Sequence, residues 1–138
     1  FVGSGDGLPA MQDKAQSMGI ADKVIFTGTR PDVYRLLQAM DVFVFPSLYE
    51  GLPVTMIEAQ ATGVPCVISD HVSDECVVTD GLVRVEGLNE PIAQWAEDIL
   101  HQGHKSRENH IQEIKQAGYD ISIEAKRLQR FYLQAEKR

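Results

Sequence analysis

The sequence predicts an α/β fold in which a Rossmann-like parallel sheet carries helices on both faces. Apolar runs at residues 42–45 and 65–69 are typical of strands that are buried on both sides. Between them, residues 53–62 follow a helical pattern that ends at Gly63. Strands and helices also alternate on either side of this segment, which favours parallel strands joined by helical connections.

The remaining elements are short and are expected to form one domain over residues 1–138. Further strands are predicted at residues 1–2, 23–28 and 82–85, and the strand at 23–28 is expected to be buried. Further helices are predicted at residues 8–18, 33–40, 74–79, 89–103, 105–117 and 122–136. One apolar stripe with i, i+3, i+4, i+7, i+8 spacing predicts a buried helix face. The stripe consists of Ile92, Trp95, Ala96, Ile99 and Leu100. Residues 1–86 would then form the strand and helix core, and residues 89–138 the C-terminal helices.

Composition and charge exclude several classes of protein. The chain has 138 residues, 43% hydrophobic and 24% charged, as expected of a soluble globular domain. Its net charge of −7 argues against a nucleic-acid partner, which would require a basic face. No apolar run approaches the roughly 20 residues that span a bilayer, and no signal-peptide pattern is visible. Cys66 and Cys76 form no paired-ligand motif, so we expect reduced thiols and a cytoplasmic location.

Basic residues are unevenly distributed along the chain. Between Arg35 and Arg84 there is no lysine or arginine. The last predicted helix is rich in them, with Lys126, Arg127, Arg130, Lys137 and Arg138. Two interpretations of that basic helix remain open. It is either a solvated face opposite an apolar stripe or a surface that meets another domain or an anionic membrane, which would place the protein at the inner face of the membrane.

Glu50 and Glu58 form the main candidate site. Glu50 lies in the loop after a strand, where ligands bind in open parallel sheets. Pro53 is a good first residue for the following helix, so Glu58 lies a little over one turn from its start. Ionised carboxylates accept hydrogen bonds from sugar hydroxyls, and the N–H groups of a helix N-terminus suit a phosphate. This arrangement predicts a site for a sugar-phosphate ligand.

Structural alternatives exist for both carboxylates. The T-x-x-E spacing from Thr55 to Glu58 matches a capping box, in which Glu58 would only stabilise the helix start. Pro53 competes with that interpretation by starting the helix two residues earlier. Glu50 could equally be a solvated loop acid. Both alternatives stay open on spacing alone.

Other candidate motifs are weaker. The glycine turn at residues 3–7 fails as G-x-G-x-x-G because Leu8 occupies the last glycine position, which favours a plain strand-to-helix turn. We expect no metal site, since His101 and His104 have no cysteine or acid cluster nearby in sequence. His71, at the end of a strand, is either a site contact or a solvated loop residue.

The sequence of residues 41–69 resembles the large retaining family of GT-B glycosyltransferases that includes glycogen and sucrose synthases and many polysaccharide transferases. It reads DVFVFPSLYEGLPVTMIEAQATGVPCVIS, and the linked P-S, E-G, x7-E and G-x-P elements carry the likeness. The resemblance extends to residues 1–7, 24–28 and 32–41, and it covers residues 1–86 well. It implies the donor-binding C-terminal domain of such an enzyme.

The resemblance also implies roles for individual residues. Glu50 would be the catalytic-site residue, in contact with hydroxyls of the transferred sugar, and Glu58 would bind the ribose of the nucleotide. Backbone groups lining the sugar and diphosphate are expected at Gly51, Leu52, Val54 and Thr55. Thr29 and Arg30 are expected near the nucleotide base, and Gly3 and Gly5 are expected to border the same cleft. The donor would be a nucleotide-diphosphate sugar, with UDP as its nucleotide, and no cofactor or metal is implied.

The E-G-L-P sequence at residues 50–53 departs from the commonest family loop, E-G-F-G. Pro53 has no N–H to donate, and the variant resembles capsular and exopolysaccharide transferases. The family's first strand, the cations that neutralise the diphosphate and the acceptor-binding domain with its catalytic histidine are expected before Phe1.

These expectations have consequences for function and assembly. We expect no turnover by the 138 residues alone. We also expect the gap left by the first strand to be closed by a shifted strand order, a dimer or a partner chain. The functions considered are transfer of a sugar to a polysaccharide or lipid-linked acceptor, nucleotide-sugar epimerisation and a non-catalytic nucleotide-binding or assembly role.

Overall fold

The structure is a computed structural model that describes residues 1–135. The chain divides into two compact units, Phe1–Leu36 and Leu37–Arg138, and each is described by itself. The predicted 122–136 helix ends outside the described residues, and its last two basic residues also lie there.

The first unit contains helix α1 (Leu8–Ser17) and a 3-10 turn (Ala21–Lys23). The prediction of a buried strand at residues 23–28 is wrong. Residues 24–27 are extended but form no regular strand, and Ile25 is 73% exposed. The backbone of this segment hydrogen-bonds to residues 1–3, a stretch too short to build a ladder. An isolated antiparallel bridge between Gly3 and Gly28 is the pairing that results.

The second unit is built on a three-stranded parallel sheet. Its strands are β1 (Phe43–Phe45), β2 (Cys66–Ser69) and β3 (Val83–Glu86), in the spatial order β1-β2-β3. In register, Cys66 lies between Phe43 of β1 and Val83 of β3. All four residues of β2 are buried, as expected for a central strand of a parallel sheet.

Helices flank this sheet and join its strands. Helix α2 (Val33–Ala39) precedes β1, and helix α3 (Val54–Ala61) connects β1 to β2. After β2 come a 3-10 turn (Asp74–Cys76), α4 (Ile92–Gly103), α5 (Ile111–Gln116) and α6 (Ile121–Ala135). The predicted α/β class with a parallel sheet is confirmed.

Helix α4 does not bury the stripe that the sequence predicts. Ile92 is 87% exposed and Leu100 is 66% exposed, while Gln102 is buried. The face of α4 turned inward includes Trp95 and Asp98, which are half-buried. Its partners on β3 are partly polar, so the helix presents hydrogen-bonding side chains there rather than its most apolar stripe.

Buried Gln60 fixes the orientation of α3. Its amide nitrogen donates to the carbonyls of Met56, 2.9 Å away, and Cys76, 2.6 Å away. Its amide oxygen accepts from Val78 N, Thr79 N and the Thr79 hydroxyl at 2.9, 3.2 and 2.9 Å. Every hydrogen-bonding group of this fully buried amide is therefore paired, which ties α3 to the segment that follows the 3-10 turn.

Candidate functional site

The carboxyl ends of the three strands define one edge of the second unit. Because the strands are parallel, the residues after Phe45, Ser69 and Glu86 emerge at the same edge. Open α/β sheets bind their ligands at this edge. The loop at residues 46–53, which carries Glu50, is one of the loops there.

Glu50 is half-buried and held within its own loop. The hydroxyl of Ser47 donates to Glu50 Oε1 over 2.8 Å. The backbone of this loop is in turn contacted by the last residue of β2 and by His71, two residues further on. The Ser69 hydroxyl donates to the Ser47 carbonyl, and His71 Nδ1 lies 3.2 Å from the Leu48 carbonyl oxygen. Glu50 is thus a half-buried carboxylate with one oxygen hydrogen-bonded within its own loop.

The start of α3 excludes the capping box. Pro53 is the N-cap, with extended backbone angles and no side-chain cap, and Thr55 is already the second helical residue. Among the described residues, the N–H groups of Val54 and Thr55 have no hydrogen-bond acceptor. A helix start with free N–H groups and no acidic side chain in its first turn can bind an anion.

Glu58 is exposed on α3, and its side chain makes no hydrogen bond among the described residues. It is the fifth residue of the helix, so its Cα lies roughly 6 Å along the axis from Val54. Gly51 and Leu52, between Glu50 and the helix, are also exposed. The second unit therefore holds an ordered carboxylate, free helix N–H groups and a free carboxylate within nine consecutive residues.

The first unit brings its own candidates together. Gly3 N donates to Gly28 O over 2.9 Å, and the hydroxyls of Ser4 and Thr29 lie 3.0 Å apart. The glycine turn and the residue after the second apolar run are thus neighbours. Gly3 has a φ of 128°, which favours glycine, whereas Gly5 has no such requirement.

Arg30 is engaged in a local ion pair within the first unit. Its guanidinium donates to both carboxylate oxygens of Asp32, over 2.8 and 2.7 Å. This bidentate hydrogen bond raises the pKa of Arg30 and lowers that of Asp32. A role of Arg30 beside a nucleotide base would have to accommodate or break that pair.

The first arginine or lysine that follows the candidate site in the sequence, Arg84, is occupied elsewhere. Arg84 Nη2 lies 2.6 Å from Glu86 Oε1 and 3.6 Å from Asp98 Oδ2. Glu86 is buried, and its hydrogen bond with Asp98 raises the pKa of Glu86 while the same bond lowers that of Asp98. The guanidinium is thus committed to two carboxylates on β3 and α4.

Within residues 1–135, no group of three histidine, cysteine or acidic side chains is arranged to hold a metal ion. No helix in the same part of the chain is long and apolar enough to cross a membrane.

Sequence reasoning did not identify Ser47 and Ser69 as site residues, and it left His71 open. The signal for Ser69 was a single hydroxyl at the end of an otherwise apolar strand. Ser47 lies in the P-S element, directly after the proline that ends β1. The contacts of both depend on the register between β1 and β2, which spacing along one chain does not reveal.

Comparison with known proteins decides the family. The family model described as glycosyl transferases group 1 matches residues 1–102. The chain belongs to this glycosyltransferase family. The match includes both units' candidate residues, from Gly3 to Glu58.

Relatives within the family carry glycosyltransferase names. EpsF of Bacillus subtilis (strain 168), named as a glycosyltransferase, is 40% identical over 123 residues, covering 87% of this chain and 32% of EpsF. The UDP-Gal:alpha-D-GlcNAc-diphosphoundecaprenol alpha-1,3-galactosyltransferase of Escherichia coli is 38% identical over 79 residues, covering 56% of this chain and 20% of the relative. The glycosyltransferase chain described here therefore spans about a third or less of these relatives.

A solved structure supports the fold. The lipopolysaccharide outer core galactosyltransferase WaaB, in its apo form, superposes with a TM-score of 0.66 at 20% sequence identity. The match covers 84% of this chain and 34% of WaaB. The chain therefore matches the GT-B glycosyltransferase fold over about a third of the length of WaaB.

Proposed function

We propose that this chain binds the sugar-nucleotide donor of a retaining glycosyltransferase that acts on a polysaccharide or lipid-linked acceptor. The observation that supports it is the arrangement at the carboxyl edge of the sheet. An ordered Glu50, two free N–H groups at the start of α3 and a free Glu58 follow one another there. These groups match, in type, the hydroxyls of a sugar, a diphosphate and the diol of a ribose.

Each group has a specific role in the proposal. Glu50 accepts hydrogen bonds from hydroxyls of the transferred sugar and holds it in a reactive orientation. The N–H groups of Val54 and Thr55, with the helix dipole, bind the diphosphate. Glu58 accepts hydrogen bonds from the ribose. Gly51 and Leu52 lie between the two carboxylates and line the sugar with their backbone.

The first unit holds further candidates for donor binding. Thr29 and Arg30 would lie beside the nucleotide base, and Gly3 and Gly5 would border the phosphates. The Ser4–Thr29 hydroxyl contact supports a common surface for these two segments.

The donor is proposed to be a UDP-sugar, and no cofactor or metal takes part. One relative's name specifies UDP-Gal and a diphosphoundecaprenol acceptor, which supports this class of donor and acceptor for the present chain. The diphosphate needs positive charge, and none is supplied by lysine or arginine between residues 36 and 83. A helix start contributes about 0.3–2 kcal/mol, too little for tight binding. We therefore expect no sugar transfer by the 138 residues alone.

The basic surface of α6 is proposed to meet another part of the protein or an anionic membrane at the cytoplasmic face. Lys126, Arg127 and Arg130 lie on α6 with the exposed Leu128 and Phe131. Flotation of the intact protein with phosphatidylglycerol vesicles, but not with phosphatidylcholine vesicles, is the result expected for a membrane. A second copy that pairs with the sheet would instead give a dimer in sedimentation.

Titration of the intact protein with UDP and UDP-galactose tests the donor site. Glu50→Gln should weaken binding of UDP-galactose by about 5- to 30-fold and leave UDP binding within twofold, because Glu50 contacts only the sugar. Glu58→Gln should weaken both ligands, because ribose is common to them. Glu97→Gln, an exposed acid on α4, is the matched control.

Two alternative functions, a non-catalytic module and an epimerase, predict different results in assays of the intact protein. A non-catalytic nucleotide-binding or assembly module predicts that Glu50→Gln and Glu58→Gln change neither transfer nor donor affinity. An epimerase predicts release of free epimerised sugar without transfer to an acceptor. Retention of configuration, read by NMR of the product, tests the retaining mechanism.

A further inference from the structure

The loop that carries Glu50 begins where the pairing of β1 with β2 ends. β1 stops at Phe45, whose register partner is Ile68. Pro46 follows, and the main-chain pairing with β2 does not continue past it. β2 extends one residue further to Ser69, which is fully buried and pairs with β3 through Glu86.

The Ser69 side chain takes over at the point where the main-chain pairing stops. Its hydroxyl donates to the carbonyl oxygen of Ser47, the residue that follows Pro46. The first residue after the proline is thereby tied to the central strand of the sheet. Strands of the core are the most precise support that a fold offers to a functional loop.

Ser47 passes this constraint to Glu50. Its hydroxyl lies 2.8 Å from Glu50 Oε1 and 3.2 Å from the carbonyl oxygen of Tyr49, so it can donate to either. A hydrogen bond to a carboxylate is about twice as strong as one to a neutral acceptor, which favours Glu50. Among the described residues, Glu50 Oε2 has no partner and is left to bind a ligand.

We propose that Ser47 and Ser69 are positioning residues that orient the Glu50 carboxylate toward the donor sugar. Ser69 holds the backbone of Ser47, and the hydroxyl of Ser47 holds one oxygen of Glu50. His71 supports the same loop through its contact with the Leu48 carbonyl. The proposal rests on the proposed function of Glu50, and it adds which residues set the direction of that side chain.

The test is a double-mutant cycle in the intact protein. The single variants are Ser47→Ala, Ser47→Thr, Ser69→Ala and Glu50→Ala. The double variants are Ser47→Ala/Glu50→Ala and Ser69→Ala/Glu50→Ala. The ligands are one sugar nucleotide and its nucleoside diphosphate. The sugar nucleotide is whichever of UDP-galactose, UDP-glucose, UDP-N-acetylglucosamine and GDP-mannose the wild type binds most tightly. The nucleoside diphosphate is UDP or GDP, to match it. Ser17→Ala is the matched control, because its hydroxyl donates only to the Lys14 carbonyl within α1.

Ser47→Ala should weaken the sugar nucleotide by about 5- to 30-fold and the nucleoside diphosphate by less than twofold. The same substitution in the Glu50→Ala background should have almost no effect, because its target is gone. Ser47→Thr retains the hydroxyl and should restore most of the affinity. Ser69→Ala should act in the same direction as Ser47→Ala and also lose its effect when Glu50 is absent.

Two outcomes overturn the proposal and are distinguishable from each other. If Glu50→Ala weakens the sugar nucleotide but Ser47→Ala does not, or acts equally without Glu50, the positioning role is wrong while the donor site stands. If Glu50→Ala itself has no effect, the proposed function fails and the positioning role fails with it. Thermal unfolding of Ser47→Ala, compared with that of the wild type, identifies any loss of affinity that is caused only by misfolding.

Discussion

The main-chain carbonyl of Glu108 lies directly against Gly63, just beyond the end of α3. A Cβ built on Gly63 would lie 2.2 Å from the Glu108 oxygen, and Gly63 has a φ of 70°. Arg107, the residue before Glu108, donates to the carbonyls of Leu37 and Thr62. The loop before α5 therefore fits closely over the end of the helix that carries Glu58.

Gly63→Ala should be strongly destabilising. The new methyl group would collide with backbone that cannot rotate away, and alanine would be strained at this φ. We expect a loss of about 2–4 kcal/mol in the free energy of unfolding, measured by urea denaturation of the intact protein. Gly81→Ala is the matched control, because Gly81 has a φ of 69° but no atom within 4 Å of a built Cβ. It should lose only about 1 kcal/mol. Equal losses in the two variants would show that Glu108 does not press on Gly63.

Gln60→Leu should separate α3 from the segment that follows β2. Leucine has a similar volume, but it removes the side-chain hydrogen bonds to two carbonyls and three donors of that segment and of α3, and the N–H groups of Val78 and Thr79 lose their acceptor. The expected cost is about 3 kcal/mol or more in the free energy of unfolding. Gln112→Leu, on the exposed side of α5, should change it by less than about 0.5 kcal/mol. A Gln60→Leu variant as stable as the wild type would mean that this amide does not hold the two elements together.

The two cysteines should resist alkylation in the folded protein. Both are fully buried, and burial raises the pKa of Cys66 to about 12 and that of Cys76 in the same direction. At pH 8 the thiolate fraction of Cys66 is then on the order of 10⁻⁴. Peptide mapping after treatment with iodoacetamide should find both cysteines unmodified, and both modified in urea. Rapid native labelling at Cys66 would contradict the buried strand assigned to β2.

Glu113 should contribute to stability at neutral pH and lose that contribution in acid. Its hydrogen bond with His110, 2.8 Å long, is the main cause of a lowered pKa, and the N–H of Asp80 acts in the same direction. A carboxylate whose pKa is lower in the folded state stabilises the fold at any pH above its unfolded-state pKa, near 4.5. This stabilisation disappears as the pH falls through the folded-state pKa. Glu113→Gln should therefore unfold at lower urea than the wild type at pH 7, with a difference that shrinks below about pH 4. The exposed Glu97→Gln is the control, and a difference independent of pH would refute the assignment.

Much of the second unit could be predicted from local patterns. The apolar runs around Val44 and Val67 and the glycine after α3 placed the strands and the helix correctly to within a few residues. The prediction failed at Ile25, because an apolar run becomes a strand only when a partner strand of sufficient length lies beside it. It failed again at α4, where polar groups on β3 attract Asp98 and leave Leu100 exposed.

For the candidate site too, some features could be predicted from the sequence and others depend on the tertiary structure. The sequence by itself determined the type and spacing of the candidate ligand-binding groups, since Glu50, Pro53 and Glu58 lie on one continuous loop and helix. Only the tertiary structure decided that Pro53 caps α3, which excludes the capping box, and that Ser69 reaches the Glu50 loop. The physical reason is that spacing along a helix is local, whereas the contact from Ser69 to Ser47 depends on the register of two strands separated by 20 residues.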